Sequence, residues 1–276
     1  MSKWIDGLQG ILNYQSTGRW NPQFRNSGAG MMGTTGFLLG LCGGVHFGIL
    51  LALLLANQIG AIGKDMSEYF VTIILWSVYV TLLCLFHFLE FFSTALWQPK
   101  VLSYDSFIVN HSRNYTIAMI VSATEYWLES YLCGNSKRRE WISWLGLTMV
   151  LGGQIIRTVA MWTCDKNFSH QIMVERTEGH QLVTHGIYRY LRHPSYFGWF
   201  YWSVGTQILL CNPISFCFFT YASWTFFNSR IPYEEETLLE FYQQEYVDYC
   251  LRTFIGIPFI RSVTNNGGYT QSRSSE

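Results

Sequence analysis

The stretch HQLVTHGIYRYLRHPSYFGWFYW runs from His180 to Trp202 and places histidine, arginine and tyrosine directly before a long apolar segment. A second polar stretch, RIPYEEE, runs from Arg230 to Glu236 and follows another apolar segment. Charge beside hydrocarbon is costly, so charged groups in such positions usually have a function. The two stretches are therefore the candidates for a functional site, and the apolar segments around them decide the fold.

The composition is typical of a membrane protein. Only 13% of the 276 residues are charged, about half the usual share for a soluble domain. The formal net charge is zero, which gives no support to nucleic acid as a partner. Seven cysteines without a CxxC pair indicate neither a metal site nor a disulfide scaffold. The beginning of the chain lacks the pattern of a cleavable signal peptide, so we expect the spans themselves to direct the chain to the membrane.

The apolar runs predict an all-α, polytopic integral membrane protein with about six to eight transmembrane helices. Four runs are long enough for a span of about 20 residues, namely residues 34–56, 69–92, 106–133 and 141–162. Residues 196–210 and 214–227 are shorter and are separated by Cys-Asn-Pro, which predicts a helical hairpin. Pro232, followed by three glutamates, predicts the start of a further amphipathic helix that ends near Arg252.

These elements suggest three regions: N-terminal transmembrane helices at 1–162, a catalytic region at 163–261 and a disordered tail at 262–276. The catalytic region contains the loop, the hairpin and the amphipathic helix. An even number of crossings puts both polar stretches on one face. That face carries more lysine and arginine than the other, so the positive-inside rule predicts that it lies in the cytosol. Lys137, Arg138 and Arg139 lie on the opposite face and oppose this assignment.

The residue types in the two stretches suit a small polar ligand. The sequence has no Rossmann, Walker, nucleophile-elbow or zincin motif. His180, Tyr188, His193 and Tyr196 offer hydrogen-bonding groups, Gly186 and Gly198 allow close backbone approach, and Pro194 begins a helix whose N-terminus can bind an anion. Arg230 can hold a carboxylate through two hydrogen bonds. An interfacial belt of basic and aromatic residues explains the same composition equally well.

Two further features leave alternatives open. Glu234 to Glu236 can bind a ribose hydroxyl or an ammonium group, or can simply be the acids of a helix start. Arg157 with Glu125 or Glu90 can line a cavity, or can form a purely structural pair between spans. Residue chemistry alone does not choose between these interpretations.

The polar stretches and the residues around them closely resemble the isoprenylcysteine carboxyl methyltransferase family. The matching pieces are HxLVxxGxY at 180–188, RHPSYxGWFYW at 192–202, GTQxxLCNP at 205–213, Arg230 with Glu234 and Glu235, and GIPFI at 256–260. Asp105-Ser-Phe, Asn110-His-Ser and Tyr115-Thr also look like the family, so the resemblance extends over residues 86–261. Phospholipid methyltransferases and some sterol reductases share RHPxYxG, but the run through Cys-Asn-Pro is more specific.

The resemblance implies methylation of the C-terminal carboxylate of prenylated cysteine, with S-adenosylmethionine as donor and S-adenosylhomocysteine as product. It implies an enzyme of the endoplasmic reticulum membrane that acts on prenylated CaaX proteins such as small GTPases, beside membrane lipid and without a metal. Arg230 would be the catalytic and substrate-binding residue. By the same resemblance, the cofactor would be bound by His180, Gln181, Leu182, Val183, Tyr188, His193, Pro194, Ser195, Tyr196 and Glu234.

The implied chemistry agrees with the residues. A carboxylate is already ionised at neutral pH, so we expect in-line methyl transfer that needs no general base. Animal members of the family usually have eight membrane helices, whereas this sequence shows six and a weak N-terminal segment.

Three other functions remain as alternatives. A phospholipid N-methyltransferase would keep the cofactor site but gain nothing from Arg230. A sterol reductase would use the basic residues for an NADPH phosphate, and a membrane scaffold would need no ligand at all.

Overall fold

The computed structural model describes residues 28–62, 64–109, 112–134, 140–170, 172–173 and 181–263. Within these ranges the chain is all-α, as predicted, and short loops and 3-10 turns join the helices. The helices are α1 (Ala29–Gln58), α2 (Lys64–Trp97), α3 (Arg113–Cys133), α4 (Glu140–Cys164), α5 (Pro194–Leu209), α6 (Pro213–Tyr242) and α7 (Gln244–Cys250). The chain forms two compact units, residues 1–116 and 117–276. Of the predicted tail, only Ser262 and Val263 are described.

Three segments of the described chain are long and apolar enough to cross a membrane: Ala29–Gln58, Tyr69–Trp97 and Glu140–Asn167. They extend the predicted spans by a few residues at their ends. In the first unit, α1 begins after Gly28, which has a left-handed backbone with φ 64°, and α2 stops one residue before Gln98-Pro99. Proline after a helix end is a common stop signal.

Helix α3 starts later than the sequence predicted. The expected span began at residue 106, but Tyr104–Phe107 forms a 3-10 turn with a capping box between Ser103 and Ser106. Ile108 then takes a left-handed backbone with φ 58°, which a helix cannot continue through. The turn is fixed to α2, because the ring of Phe107 stacks on Phe91 with centroids 4.1 Å apart. Its carbonyl oxygen also accepts a hydrogen bond of 2.8 Å from His87 Nδ1.

In the second unit, α4 and α5 pack backbone to backbone. Gly146 and Gly153 of α4 lie seven residues apart, as do Gly198 and Gly205 of α5. A Cβ added at Gly153 would lie 2.6 Å from the Gly198 carbonyl oxygen, and one added at Gly198 would lie 2.6 Å from the Gly153 carbonyl oxygen. Small residues at such positions allow membrane helices to approach closely.

The predicted hairpin is present, but its second helix does not end where the sequence indicated. Helix α6 continues to Tyr242 with Pro232 inside it, so the prediction of a new helix at Pro232 is wrong. Proline in a helix interior removes one backbone hydrogen bond. Three positions spaced four residues apart, Phe227, Ile231 and Glu235, are at most 1% exposed. This continuous buried face holds the helix in register across the proline.

The hairpin turn is joined to α3 by buried polar groups. The Ser122 hydroxyl donates to Gln207 Oε1 at 2.8 Å, and Asn212 Nδ2 donates to the Ser122 carbonyl oxygen at 3.0 Å. The Glu125 carboxylate accepts from the backbone N–H groups of Ile214 and Ser215, each at 2.7 Å. These N–H groups belong to the first turn of α6 and would otherwise lack partners. Glu125, one of two predicted partners of Arg157, therefore caps a helix instead.

Candidate functional site

The loop before α5, the C-terminal end of α4, the second half of α6 and α7 enclose one cavity. Nine of the ten predicted cofactor-binding residues line it: Gln181, Leu182, Val183, Tyr188, His193, Pro194, Ser195, Tyr196 and Glu234. The tenth, His180, lies outside the described residues. Residues that are distant in the sequence, such as Val183 and Glu234, therefore share one wall.

The loop is held in place by the chain that follows α7. Leu191 and Phe254 form an isolated parallel β-bridge, in which Arg192 N donates to the Phe254 carbonyl and Phe254 N donates to the Tyr190 carbonyl, each at 3.0 Å. Nearby, the Tyr249 hydroxyl donates to the Tyr188 carbonyl at 2.7 Å. Because these bonds fix the loop backbone, its side chains reach the cavity from defined positions.

Helix α5 begins at the cavity. Pro194 occupies its first turn, and His193 is the preceding residue, with φ −124° and ψ 56°, outside the α region. This agrees with the predicted avoidance of the α region before a proline. The rings of His193 and Tyr196 stack at 5.6 Å and 7°. Two glycines were expected to allow close backbone approach, and the contacts they allow are within the protein. Gly186 packs on Thr163, and Gly198 packs on α4.

Glu235 lies at the centre of a buried network and has no exposed surface. One carboxylate oxygen accepts from Arg192 Nε at 2.6 Å and lies 3.3 Å from His193 Nε2. The other accepts from the Ser262 hydroxyl at 2.8 Å and from Val263 N at 3.0 Å. Burial alone would raise the pKa of Glu235, but the His193 hydrogen bond and the Arg192 charge hold it at about 2. Glu235 is therefore an ionised structural group.

The adjacent Glu234 has a different environment and faces the cavity. Its carboxylate accepts a hydrogen bond of 2.5 Å from the Tyr196 hydroxyl. That hydroxyl in turn accepts from Arg230 Nε at 2.9 Å. Tyr196 therefore connects a predicted cofactor residue with the predicted substrate residue.

Arg230 borders a second, more open cavity beside the first. This cavity is lined by His170, Ile172, Phe226, Ser229, Arg230 and Tyr233, and Ile172 lines both cavities. Arg230 Nη2 donates to the His170 carbonyl at 2.6 Å, and its guanidinium lies over the rings of Tyr196 and Phe226 at 5.5 and 5.7 Å. A guanidinium has five N–H donors, and the two bonds to Tyr196 and His170 occupy two of them.

Arg157 lies under the cavity wall and is 1% exposed. Its Nη1 donates to the Ser195 hydroxyl at 2.8 Å and to the Ser195 carbonyl at 3.2 Å. Its guanidinium also lies 4.7 Å from the centre of the Trp199 ring. The residue thus fixes the first turn of α5, where Ser195 reaches the cavity.

Sequence reasoning missed the part of the wall that α6 and α7 provide. It includes Thr237, Leu238, Phe241, Tyr242, Tyr246 and Tyr249. The first three continue from Glu234 at spacings of three and four residues, which places them on one helix face. That spacing was a usable signal, whereas nothing in the sequence indicated that α7 folds back to the same cavity.

The fold and the cavity define a class of protein. The described chain is all-α, three of its segments are suited to cross a membrane, and a partly polar cavity lies where one of them, Glu140–Asn167, ends. The protein is therefore an all-α, polytopic integral membrane protein with a ligand cavity. Residues 144–240 match the model of the isoprenylcysteine carboxyl methyltransferase (ICMT) family.

Known proteins extend this similarity. The chain is 47% identical over 182 residues to protein-S-isoprenylcysteine O-methyltransferase of Tribolium castaneum, covering 66% of this chain and 65% of that protein. It is 45% identical over 185 residues to the Homo sapiens protein, covering 67% and 65%. It is 38% identical over 191 residues to the Saccharomyces cerevisiae protein, covering 67% and 80%. The chain thus spans just under two thirds of the length of the first two.

A solved structure agrees with these relatives. It is described as the eukaryotic intramembrane Ras methyltransferase ICMT without a monobody, and it matches with a TM-score of 0.69 and 32% identity. The match covers 83% of this chain and 98% of that one. The chain belongs to the isoprenylcysteine carboxyl methyltransferase family, as the sequence motifs predicted.

Proposed function

We propose that this protein transfers a methyl group from S-adenosylmethionine to the C-terminal carboxylate of a prenylated cysteine. The observation that carries the proposal is the hydrogen-bonded chain Arg230–Tyr196–Glu234 between two neighbouring cavities. One cavity contains the predicted cofactor residues, and the other is bordered by the Arg230 guanidinium, whose bonds to described residues leave further N–H donors available. The relatives are named protein-S-isoprenylcysteine O-methyltransferases, which supports the same reaction.

The first cavity, which contains the predicted cofactor residues, suits the chemical groups of S-adenosylmethionine. The Glu234 carboxylate can pair with an ammonium group or accept from ribose hydroxyls, and the first turn of α5 offers backbone N–H groups to a carboxylate. Leu182, Leu238 and Phe241 form an apolar and aromatic surface suited to a nucleobase. When bound, the cofactor supplies an electrophilic methyl group on a sulfonium.

Arg230 positions the nucleophile. The prenylcysteine carboxylate is ionised at neutral pH because its ordinary pKa lies below 4, so no general base is required. Arg230 would hold one carboxylate oxygen toward the methyl group that the bound cofactor would supply, and the electron pair of the cleaved carbon–sulfur bond would stay with the cofactor. Holding the carboxylate in line contributes to rate through alignment. The hydrogen bonds to Tyr196 and His170 keep the guanidinium itself in one orientation.

The second cavity gives the prenyl chain an apolar environment. Ile172, Phe226 and Tyr233 line it beside Arg230. Each methylene group removed from water contributes about 0.8 kcal/mol to binding, so the lipid supplies affinity while Arg230 supplies orientation. The substrates are then prenylated CaaX proteins, such as small GTPases. We infer a location in the endoplasmic reticulum membrane from the family resemblance, and a site that faces the cytosol from the bias of lysine and arginine between the two faces.

The test is transfer of labelled methyl from S-adenosylmethionine to N-acetyl-farnesylcysteine by purified protein in detergent. We expect base-labile label on the farnesylcysteine, as a methyl ester requires. Arg230→Lys keeps the charge but loses the planar fork, so kcat/KM should fall about 10- to 100-fold, or about 1.4 to 2.7 kcal/mol. The matched control is Arg252→Lys, at an exposed arginine that donates to the Asp248 carbonyl.

Two outcomes would contradict the proposed function or the proposed role of Arg230. Unchanged kinetics in Arg230→Lys would remove the proposed two-bond role of the guanidinium. Label on phosphatidylethanolamine, offered as a parallel acceptor, with none on farnesylcysteine would make the protein a phospholipid N-methyltransferase.

A further inference from the structure

Three consecutive glutamates of α6 have three different environments, and the third has no part in the proposed reaction. Glu234 faces the first cavity, and Glu235 is buried in the network with Arg192. Glu236 is exposed, and so is Glu240 one turn later. Within the part of the chain that the structure describes, neither of these two side chains makes an ion pair with a basic group. Both carboxylates are therefore presented to solvent without a described counter-charge.

The exposed face of α6 that holds these two glutamates begins at the second cavity. Ser229 and Tyr233 line that cavity, and the Tyr233 side chain is also 50% exposed. Positions 229, 233, 236 and 240 follow one another at spacings of four, three and four residues, which places them along one side of a helix. The helix is continuous to Tyr242. One surface thus leads from the cavity beside Arg230 outward to Glu236 and Glu240.

The dimensions of this face suit a peptide whose C-terminus lies in the second cavity. A helix rises about 1.5 Å per residue, so Glu236 lies about 9 Å and Glu240 about 15 Å along the axis from Arg230. An extended peptide spans about 3.3 Å per residue. With its terminal carboxylate at Arg230, such a peptide would pass Glu236 about three residues before the cysteine and Glu240 about four or five residues before it.

The chemistry of prenylated segments supplies the opposite charge. The chain before a prenylated cysteine usually carries several basic residues. Exposed carboxylates attract such residues and select the orientation in which a partner docks. The same carboxylates repel an anionic partner, such as a phosphorylated lipid or a nucleic acid. The charge of this face therefore favours a basic peptide as its occupant.

We propose that the face of α6 formed by Tyr233, Glu236 and Glu240 binds the basic segment that precedes the prenylated cysteine of the substrate. The inference rests on the proposed function, because it takes a prenylated protein as the methyl acceptor. The second cavity then holds the lipid and the carboxylate, which all substrates share. The two glutamates add a preference among substrates, according to the charge of the segment upstream.

The test compares two farnesylated peptides of equal length with the purified full chain in neutral detergent. One peptide has lysine at the third and fifth positions before the cysteine, and the other has glutamine there. The lysine peptide should have a KM about three- to tenfold lower at a similar kcat, because exposed ion pairs add binding without changing the reacting groups. This difference should shrink as the salt concentration rises.

Variants locate the preference on α6. Glu240→Gln should reduce the KM ratio of the two peptides, and the double variant with Glu236→Gln should bring that ratio to about one. The matched control is Glu140→Gln, at an exposed glutamate in the first turn of α4, whose other end lies at the first cavity. This control should keep the ratio. Glu240→Lys should instead favour a third peptide with glutamate in place of lysine. Because these side chains are exposed, the unfolding midpoints of the variants should match that of the unaltered protein.

Several results would overturn the inference. Equal KM values for the lysine and glutamine peptides in the unaltered protein would do so, as would a KM ratio that survives in the double variant. A ratio lost equally in Glu140→Gln would mean that net charge alone attracts the peptide, and would overturn the assignment to α6. Failure of the unaltered protein to methylate the peptides and N-acetyl-farnesylcysteine alike would instead overturn the proposed function, and this inference would fall with it.

Discussion

Two glycines of α1 and the glycines of the pair α4–α5 have the same spacing but opposite surroundings. Gly33 and Gly40 of α1 are seven residues apart, and a Cβ at either would meet nothing within 4 Å among the described residues. Gly153 of α4 and Gly198 of α5 also belong to pairs seven residues apart, and each touches the backbone of the other helix. Equal spacing of glycines therefore does not identify a packed helix face. Whether the face is packed depends on whether another helix lies against it.

The two regions also differ in polar content. None of the described residues of α1 is buried, which suits a helix whose sides meet lipid. The second unit instead buries charged groups such as Arg157, Arg192 and Glu235. Each of these makes charge-assisted hydrogen bonds, which such groups need away from water. Stability should therefore depend strongly on single side chains in the second unit and weakly on those of α1.

The largest loss of stability is expected from Glu235→Gln, which tests how strongly the second unit depends on a single buried side chain. The change leaves Arg192 buried without its counter-charge, which costs about 3–5 kcal/mol. Unfolding of the purified protein in detergent measures the loss of stability. Glu236→Gln is the matched control, because the neighbouring side chain is exposed. Equal stability of the two variants would contradict the structural role of Glu235.

The same variant gives a pH test. The pKa of Glu235 is lowered from its ordinary 4.5 to about 2, so its stabilisation is complete above about pH 4.5 and is lost as the pH falls through 2. The shift corresponds to about 3 kcal/mol. The stability difference between the unaltered protein and Glu235→Gln should therefore narrow from pH 5 to pH 2. A constant stability difference between the two proteins across that range would show that the carboxylate charge does not contribute to stability.

A smaller but clear loss of stability is expected from Gly198→Ala. The added methyl would lie 2.6 Å from the Gly153 carbonyl and 2.7 Å from Arg157 N, and backbone atoms of a neighbouring helix cannot move aside cheaply. Overpacking of this kind costs about 1–3 kcal/mol, and the shift of Arg157 should disturb Ser195. The unfolding midpoint should fall, and methyl transfer should fall with it.

The smallest effect is expected from Gly40→Ala in α1. The methyl meets no described atom within 4 Å, and alanine is a better helix former than glycine by about 1 kcal/mol. The unfolding midpoint should stay the same or rise slightly. A fall in the unfolding midpoint as large as that of Gly198→Ala would contradict the difference between α1 and the α4–α5 pair. It would mean that this face of α1 is packed against another part of the protein.

Much of the fold could be predicted from local signals. Long apolar runs predicted α1, α2 and α4 to within a few residues, and Cys-Asn-Pro marked the hairpin turn between α5 and α6. The prediction failed at Pro232, where a proline followed by acids is typical of a helix start. The burial of Phe227, Ile231 and Glu235 on one face overrode that signal, because tertiary packing compensates for one missing hydrogen bond.

The residues of the candidate site could also be predicted only in part. The motif residues from Gln181 to Tyr196 and Glu234 could be named from the sequence, and the structure brings them to one cavity. The sequence did not separate Glu234, which faces the cavity, from Glu235, which is buried in the network. It also gave no sign of Tyr246, since only the return of α7 to the loop brings that residue to the wall.

The bonds from Ser262 and Val263 to Glu235 have a consequence for biosynthesis. The loop that lines the cavity is fixed by Arg192, by Glu235 and by the bridge to Phe254, and part of that support comes from residues that are synthesised after helices α1 to α7. The transmembrane helices can be inserted and packed before Phe254, Ser262 and Val263 have emerged from the ribosome, so the cavity gains its full set of bonds later than the helices do. A nascent protein should thus reach the bilayer before it can bind a methyl donor.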